Sequence, residues 1–296
     1  MDFKELEYFS TIVKCGNLTH AARQLYVSQP TLSKFLQKLE EDLGLVLFQR
    51  GSRRLKLTYA GQRYYAHVER ILSQKREMDA EMTDILRSDR GVLYVGIPPF
   101  RCSFSLPKVL PIFHKEFPQV QFRIVEAPSA VLDQKLLNGE IDLAFYMSFE
   151  RITGLSYQVM HSDKMYAILS KGHPLEAKAA QIGEFSLEWL AGQTLLLQNR
   201  TQRQGQYILQ ELEKRHIQPA KILESSNIRA AAALAANGYG VGFLSGELLE
   251  HLELNIPFGA YPLQNCTLHI ESVAAWRTGD YLPRYAQAFI KLMEQV

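Results

Sequence analysis

The sequence predicts an α/β protein in which short N-terminal helices and a basic hairpin precede one long helix and two α/β lobes. Three observations predict this order. Apolar residues recur at helical spacing through much of the first 58 residues, and an amphipathic stretch continues over about 59–88. From Gly91 onward, short apolar runs alternate with helical segments. With 296 residues, 47% of them hydrophobic, the chain can form several cores.

Three helices are predicted at the N-terminus, with a tight turn between the second and the third. A helix over residues 3–15 is followed by Asn17, whose side chain can cap a second helix. Ser28 can cap a third helix, which tolerates Pro30 in its first turn. The third helix buries one apolar face and begins with small polar and basic groups, which suit the base edges of a DNA major groove. The residues predicted to contact DNA are Ser28, Gln29, Pro30, Thr31, Ser33, Lys34 and Lys38.

A basic hairpin is predicted directly after the third helix. Two apolar segments, 46–48 and 55–57, flank a turn that contains Gly51 and Ser52, and residues 43–58 include no acidic residue. Such a β-wing can neutralise phosphates or insert an arginine into a narrow minor groove. The alternative is a solvated hairpin without a DNA contact. The predicted contacts are Arg50, Arg53 and Arg54.

The long helix is predicted to hold a dimer. Thr58 can cap it, and an apolar seam with steps of four and three residues runs along it, with Lys75 at one core position. The alternative is a single helix packed on its own domain. The seam consists of Tyr64, Val68, Ile71, Met78, Met82 and Ile85.

The remainder of the chain predicts parallel sheets with helices on their faces. Predicted strands and helices alternate from residue 92, and the chain is expected to cross between two lobes near residues 161–164 and 263–267. The predicted strands are 92–97, 120–126, 141–146, 165–170, 194–198, 221–225, 240–244 and 268–276. The predicted helices are 103–117, 129–138, 203–215, 228–237 and 281–294.

A small-molecule site is predicted beyond the carboxyl ends of these strands, where open parallel sheets bind ligands. Helices expected to begin at Ser103, Ser129 and Asn227 would direct free N–H groups there. With Arg101 and Arg200 nearby, this chemistry favours an anionic or strongly hydrogen-bonding small molecule. The alternative is that Ser129 and Asn227 are only helix caps. The predicted ligand-binding residues are Pro99, Phe100, Arg101, Cys102, Ser103, Ser129, Tyr146, Gln198, Arg200 and Asn227.

The N-terminal motifs AARQL, VSQPTLSKFLQKLEEDLGLVLFQR and LTYAG, within residues 3–61, resemble the signature of LysR-type transcriptional regulators. The resemblance implies a winged helix-turn-helix over 1–58, a linker helix over 59–90 and a two-lobed effector domain over 91–296, similar to periplasmic solute-binding proteins. Lobe 1 is expected over about 91–162 and 266–296, and lobe 2 over about 163–265.

The resemblance also implies partners. Members of this family typically bind an interrupted inverted repeat in double-stranded DNA, usually as tetramers, and respond to a small-molecule effector. A homodimer through the linker helix and a homotetramer are therefore expected, and RNA polymerase is a candidate partner. Where the family often offers Ser or Thr to the effector, this chain has Pro99, Phe100 and Arg101.

Composition and the remaining motifs exclude several classes. The three cysteines are far apart, no Cys/His cluster predicts a metal site, and no cofactor is expected. Neither a signal peptide nor a spanning apolar run is evident, so a cytoplasmic protein without membrane contact is expected. Cys102 at a helix start offers an alternative redox response. An enzyme is disfavoured because no nucleophile–base set is evident, and a solute-binding protein because of the N-terminal 90 residues.

Overall fold

The computed structural model describes residues 2–49, 55–86, 89–266 and 269–295. The chain divides into two units. The N-terminal unit comprises residues 1–88 with the short segment 137–140, and the C-terminal unit comprises residues 89–136 and 141–296. Within the described residues, none of the helices combines the length and the apolar character that crossing a membrane requires.

Helices make up most of the described part of the N-terminal unit. They are α1 (Phe3–Cys15), α2 (Leu18–Gln24), α3 (Gln29–Leu43) and α4 (Tyr59–Ile85). An antiparallel bridge between Phe48 and Leu57 joins the two segments predicted as wing strands. The buried core of this unit consists of Leu6, Phe9, Ile12, Ala21, Ala22, Leu32, Leu36, Leu47, Phe48, Val68 and Leu72.

Side-chain caps fix where these helices begin. The Asn17 side chain accepts from the backbone N–H groups of Thr19 and His20, and so caps α2. Ser28 caps α3 by accepting from Thr31 N–H, and Thr58 caps α4. The caps expected from the sequence are therefore present, and they set the short connection between α2 and α3.

The C-terminal unit alternates strands and helices. Its strands are β1 (Gly91–Ile97), β2 (Val120–Glu126), β3 (Leu143–Ser148), β4 (Leu155–Asp163), β5 (Met165–Ser170), β6 (Thr194–Gln198), β7 (Lys221–Ser225), β8 (Val241–Ser245), β9 (Phe258–Pro262) and β10 (Ile270–Arg277). Its helices are α5 (Pro99–Glu116), α6 (Ser129–Leu137), α7 (Pro174–Ile182), α8 (Arg203–Lys214), α9 (Ile228–Ala236), α10 (Gly246–Glu250) and α11 (Arg284–Met293), with a short 3-10 helix at Leu187–Leu190.

These strands form two five-stranded sheets, each the centre of one lobe. Lobe 1 has the strand order β2-β1-β3-β10-β4, and lobe 2 has the order β7-β6-β8-β5-β9. The chain passes from the first sheet to the second at Lys164, between β4 and β5, and β10 returns it to the first sheet. An aromatic cluster that includes Phe113, Phe145 and Phe289 fills lobe 1, and a leucine-rich core that includes Leu195 and Leu197 fills one side of lobe 2.

The expectation of purely parallel sheets is wrong for one side of each sheet. In lobe 1, β10 runs antiparallel to β3 and β4, and in lobe 2, β5 runs antiparallel to β8 and β9. The sequence analysis missed β4 because this edge strand is largely polar and half exposed, so it lacks an apolar run. The fold class itself, a helix-turn-helix region before a two-sheet α/β region, is as predicted.

Candidate DNA interface and ligand cavity

The N-terminal turn of α3 presents an exposed polar surface. Gln29, Ser33 and Lys34 are exposed on this helix, while Leu32 and Leu36 point into the core. The hydroxyls of Ser28 and Thr31 lie 2.8 Å apart and bond to each other. Pro30 and Lys38 are also exposed. All of the predicted reading residues on α3 and at its cap are therefore exposed, whereas Arg50, Arg53 and Arg54 lie outside the described residues.

Tyr26 is a surface feature that the sequence analysis did not single out. It lies in the turn between α2 and α3, is 96% exposed, and adopts a left-handed backbone with φ of 55°. A tyrosine rarely adopts this conformation, so the tight turn constrains it. Its phenol extends into solvent beside the start of α3, where a hydroxyl can bond a phosphate oxygen.

The residues of the predicted seam on α4 fall into two groups, one packed within the N-terminal unit and one exposed. Val68 is only 1% exposed and belongs to the core of the N-terminal unit, and the Tyr64 ring packs edge-on against Phe9 at 4.8 Å. Their assignment to a partner-facing seam is corrected, because these side chains already fill the core of their own unit. Met78 and Met82 are 55% and 48% exposed, and Ile71 is also exposed. The side chain of Ile85 lies outside the described part.

The C-terminal unit contains a cavity of about 440 Å³ at the ends of strands from both lobes. Its wall is polar on the side of α6 and α8, and apolar where Phe100, Met147 and Leu248 contribute. Most of the predicted ligand-binding residues lie around it: Pro99, Phe100, Arg101, Ser103, Ser129, Tyr146, Gln198 and Asn227.

Two predicted residues lie elsewhere. Arg200 is 76% exposed and pairs with Glu224 at 3.6 Å, so it is not part of the cavity wall. Cys102 packs against the core of lobe 1. Burial raises the pKa of the Cys102 thiol, and the neighbouring Glu126 carboxylate raises it further. Desolvation and the carboxylate both disfavour the thiolate, so the structure gives little support to the alternative of a redox response through Cys102.

The predicted helix start at Ser103 is also wrong. Helix α5 begins at Pro99, with Pro98 as its N-cap, and the Ser103 hydroxyl donates to the Phe100 carbonyl within the helix at 2.7 Å. Proline is favourable in the first turn, which explains the earlier start. Asn227 caps α9 through Ala230 N–H, and Ser129 is the first residue of α6. The starts of α5, α6 and α9 therefore all border the cavity, as expected, although α5 begins at Pro99 and not at Ser103.

Arg101 joins the two lobes beside the cavity. Its guanidinium is buried and lies 2.9 Å from the carboxylate of Glu247, at the start of α10. It also donates to the Ser272 hydroxyl on β10. Burial lowers the pKa of Arg101, while Glu247 and Asp163 favour its charged form. Since arginine stays protonated in proteins, the result is a buried ion pair between lobe 1 and lobe 2.

His161 and Asp163 complete the surroundings of Glu247. His161 Nε2 lies 3.4 Å from Glu247, and the hydrogen bond to Glu247 raises the pKa of His161 despite burial. Burial alone would raise the pKa of Glu247, but His161 and Arg101 together hold it below its usual range. Asp163 accepts from the backbone N–H groups of Gly246 and Glu247, at 3.0 and 3.1 Å.

These three side chains also have the composition of a metal site. His161, Asp163 and Glu247 present possible ligand atoms within 4.8 Å of one another. However, the Arg101 guanidinium is already bound to Glu247, and Asp163 is occupied by backbone donors. A second cation would have to displace these partners, so the arrangement suits an ion-pair cluster.

Arg203 forms a second link between the lobes. It begins α8 in lobe 2, and its buried guanidinium pairs with Asp133 on α6 and with Glu150 after β3, both in lobe 1. Tyr146 donates its hydroxyl to the same Asp133. Burial raises the pKa of Asp133, while Tyr146 and Arg203 act in the opposite direction. The backbone N–H of Arg203 donates to the Ser129 hydroxyl at 3.1 Å.

The sequence analysis missed Arg203, Gln204 and Glu247, which all lie in the cavity wall. Like the residues that were predicted, they lie where a helix begins after the end of a strand. Arg203 and Gln204 begin α8 after β6, and Glu247 begins α10 after β8. Glu247 was missed because α10 is a five-residue helix without a periodic pattern. The helix that begins at Arg203 was predicted, but Gln198 and Arg200, which directly follow the apolar part of β6, were assigned to the cavity in place of Arg203 and Gln204.

Two family models match this chain. The model of the "Bacterial regulatory helix-turn-helix protein, lysR family" matches residues 3–62, and that of the "LysR substrate binding domain" matches residues 86–296. The chain belongs to the LysR family. It is accordingly a DNA-binding transcription regulator with an effector-binding domain, and it is not an enzyme.

Curated relatives are similar over most of their length. The HTH-type transcriptional regulator BsdA of Bacillus subtilis (strain 168) is 27% identical, covering 99% of this chain and 100% of that protein. The probable cat1 operon transcriptional activator of Acinetobacter lwoffii is 28% identical, covering 81% and 79%. The regulator YtlI of B. subtilis (strain 168) is 33% identical, covering 64% and 61%.

Solved structures of LysR-type regulators share this fold. Full-length OxyR from Pseudomonas aeruginosa superposes with a TM-score of 0.74 at 24% identity, covering 99% of this chain and 94% of that one. CbnR complexed with its target DNA has a TM-score of 0.61 at 23% identity, covering 100% and 99%. At these identities the likeness establishes the architecture, a helix-turn-helix domain followed by a two-sheet α/β domain.

Proposed function

We propose that this LysR-family regulator binds a small-molecule effector in the cavity at the strand ends, and that the bound effector changes its complex with operator DNA. The observation that carries the proposal is the cavity itself. It has a volume of about 440 Å³, a size suited to a metabolite, and it is bordered by both lobes. A molecule bound there contacts α5 and α6 of lobe 1 together with α8 and α9 of lobe 2.

The proposal assigns DNA recognition to residues 1–58. Gln29 and Ser33 lie on the exposed side of α3 near its start, where side chains of a recognition helix reach base edges. Lys34 and Lys38 follow on the same helix and supply positive charge for phosphates. The arginines of the predicted wing, Arg50, Arg53 and Arg54, complete the proposed interface.

We further propose that residues 59–90 hold a homodimer and that dimers associate into a tetramer. The exposed side chains of Ile71, Met78 and Met82 support a helix–helix contact along the second half of α4. Residues 91–296 then form the effector-binding domain. RNA polymerase stays a candidate partner for the DNA-bound regulator.

The experiment is a gel shift with the upstream DNA of the regulator's own gene, repeated across a metabolite collection. We expect a discrete complex whose mobility or affinity changes with at least one metabolite, because a ligand shifts a two-state equilibrium through its difference in affinity for the two states. A regulator that binds the operator identically under every condition, with no metabolite raising its thermal stability, would contradict the effector part of the proposal.

A redox response through Cys102 is the second candidate, and the geometry gives it little support. The thiol is partly buried beside Glu126, which disfavours the reactive thiolate. We therefore expect Cys102→Ser to retain the effector response. The measurement is the same gel shift with the variant under reducing and oxidising conditions.

A further inference from the structure

We propose that the effector is an uncharged, largely apolar molecule that carries a hydrogen-bond donor, such as an aromatic amide. This inference rests on the proposed function, because it names the ligand class of the same cavity. It replaces the anionic effector expected from the sequence. Three independent features of the wall support it: the pairing of its arginines, its apolar surface and an unpaired acceptor.

The first feature is that both buried arginines of the wall are already neutralised across the cleft. Arg101 of lobe 1 pairs with Glu247 of lobe 2 at 2.9 Å, and Arg203 of lobe 2 pairs with Asp133 and Glu150 of lobe 1. Each guanidinium keeps one buried donor, Arg101 Nε and Arg203 Nε, without a partner within the described residues, and the carbonyl oxygen of an amide can accept from it while both ion pairs stay intact. Because the charges of both arginines are already balanced by these carboxylates, an anion bound there would add a negative charge without a matching cation in a largely buried site, which is unfavourable.

The third arginine of the cavity wall, Arg229, does not supply a strong attraction for an anion either. Arg229 is exposed on α9, and its guanidinium donates to the carbonyl of Glu253 at 3.2 Å. A solvated guanidinium of this kind attracts an anion only weakly, because water screens the charge.

The second feature is the apolar part of the wall. Pro98, Phe100, Met147, Ile228 and Leu248 contribute to a volume of about 440 Å³, which suits one substituted ring or a molecule of similar bulk. Burying a charged group among these side chains would cost its hydration without replacing it. An apolar ring in the same place would instead gain from leaving water.

The third feature is an acceptor without a partner. Gln204 is buried in the wall, and its Nε2 donates to the backbone carbonyl of Phe243. Since that carbonyl can only accept, the orientation of the amide is fixed and Oε1 is the free end. Gln204 Oε1 has no hydrogen-bond partner within the described residues. A donor on the ligand, as in a primary amide, would satisfy this buried oxygen.

The test uses matched pairs of molecules that differ in charge and hardly in shape. The probes are benzamide with benzoate, phenylacetamide with phenylacetate, and cinnamamide with cinnamate, titrated calorimetrically into the full-length protein at neutral pH. We expect at least one amide to bind, and to bind at least about tenfold more tightly than its carboxylate. Tighter binding of the carboxylates would overturn the proposal, and so would the failure of all three amides to bind.

Two isosteric variants test the reason for the preference. Glu247→Gln frees Arg101, and Asp133→Asn removes one carboxylate partner from Arg203, so each should shift the amide-to-carboxylate preference toward the carboxylate by about tenfold or more. Glu224→Gln is the matched control, because Glu224 pairs with Arg200 outside the cavity and should leave the preference unchanged. If both folded cavity variants keep the wild-type preference, pre-neutralised arginines are not the cause and the inference fails.

The same ligands separate this inference from the proposed function. A carboxylate that binds more tightly than its amide and alters the operator complex would overturn the ligand class and retain the proposed function. An amide that binds as expected without altering the operator complex would support the ligand class and contradict the proposed function.

Discussion

At the scale of single residues, the chemistry of this regulator lies in side chains whose partners come from distant parts of the chain. Gln29 is the exception, because the role proposed for it depends only on its place on α3, where it is exposed near the helix start. Arg101 is the opposite case. The sequence placed it beside the cavity correctly, but its partner Glu247 is 146 positions away along the chain, so its ion pair was not predictable.

Gln29→Ala should weaken binding to the cognate operator by about 1–3 kcal/mol and leave binding to random DNA nearly unchanged. The reason is that an amide can read an adenine edge with two hydrogen bonds, whereas non-specific affinity comes from phosphate contacts. Fluorescence anisotropy on both DNAs measures the difference. Gln37→Ala, an exposed glutamine further along α3, is the matched control. Equal losses on the two DNAs would show that Gln29 does not read sequence.

The pair of His161 and Glu247 makes the stability of the C-terminal unit depend on pH. The pKa of His161 is raised above its ordinary value of 6.5, so its contribution is complete below that pH and is lost as pH rises through the raised value. The pKa of Glu247 is lowered from 4.5, so its contribution is complete above that pH and is lost as pH falls through the lowered value. Their joint contribution is greatest between these two ordinary values.

His161→Gln should therefore reduce the loss of thermal stability that the wild-type C-terminal unit shows as pH rises above about 6.5. Tryptophan fluorescence reports this unit selectively, because Trp189 and Trp276 both lie in it. The matched control is His114→Gln, which replaces an exposed histidine on α5. Parallel pH profiles of the melting temperature for wild type and His161→Gln would rule out this pair as a pH-dependent contributor.

At the scale of elements, predictability followed local signals. Helices with side-chain caps, such as α2, α3 and α4, were predicted well because Asn17, Ser28 and Thr58 mark their starts. The edge strand β4 and the short helix α10 were missed because polar, half-exposed residues and a five-residue helix leave no periodic pattern. The edge strand β9 and the nine-residue helix α7 were missed as well, the latter although the His173 side chain caps it. The seam of α4 shows a different limit. Its heptad spacing is real, but spacing alone cannot tell the core of one domain from an interface.

Substitutions along α4 test whether its buried residues stabilise the N-terminal unit and its exposed residues form a dimer contact. Val68→Asp should destabilise the N-terminal unit by more than about 3 kcal/mol, because it buries an unpaired charge in the core. Met78→Glu and Met82→Glu should leave the fold intact and shift the protein toward smaller species in sedimentation. Gln62→Glu adds the same charge at an exposed position of α4 outside the seam and is the control. Unchanged oligomeric state in both methionine variants would place the dimer contact elsewhere.

At the scale of the whole molecule, the two lobes of the effector domain are joined by the Arg101–Glu247 and Arg203–Asp133 ion pairs, and both arginines line the same cavity. A ligand that enters this cavity contacts residues of both lobes, so its affinity depends on how the lobes are arranged. This dependence is what regulation requires, because a ligand with equal affinity for two arrangements shifts neither. The strand ends in the sequence predicted the position of the cavity, but the proposal of an uncharged ligand rests on ion pairs that only the tertiary structure brings together.

The most direct test of the account is an anisotropy titration of the upstream operator with the full-length regulator, with and without a saturating amide that binds the cavity. We predict that the amide changes operator affinity in the wild type. We also predict that the amide concentration for half of this change rises by about tenfold in Gln204→Met, because the ligand's donor then loses its acceptor. An operator affinity that stays the same with the cavity fully occupied would show that a ligand in this cavity does not regulate DNA binding.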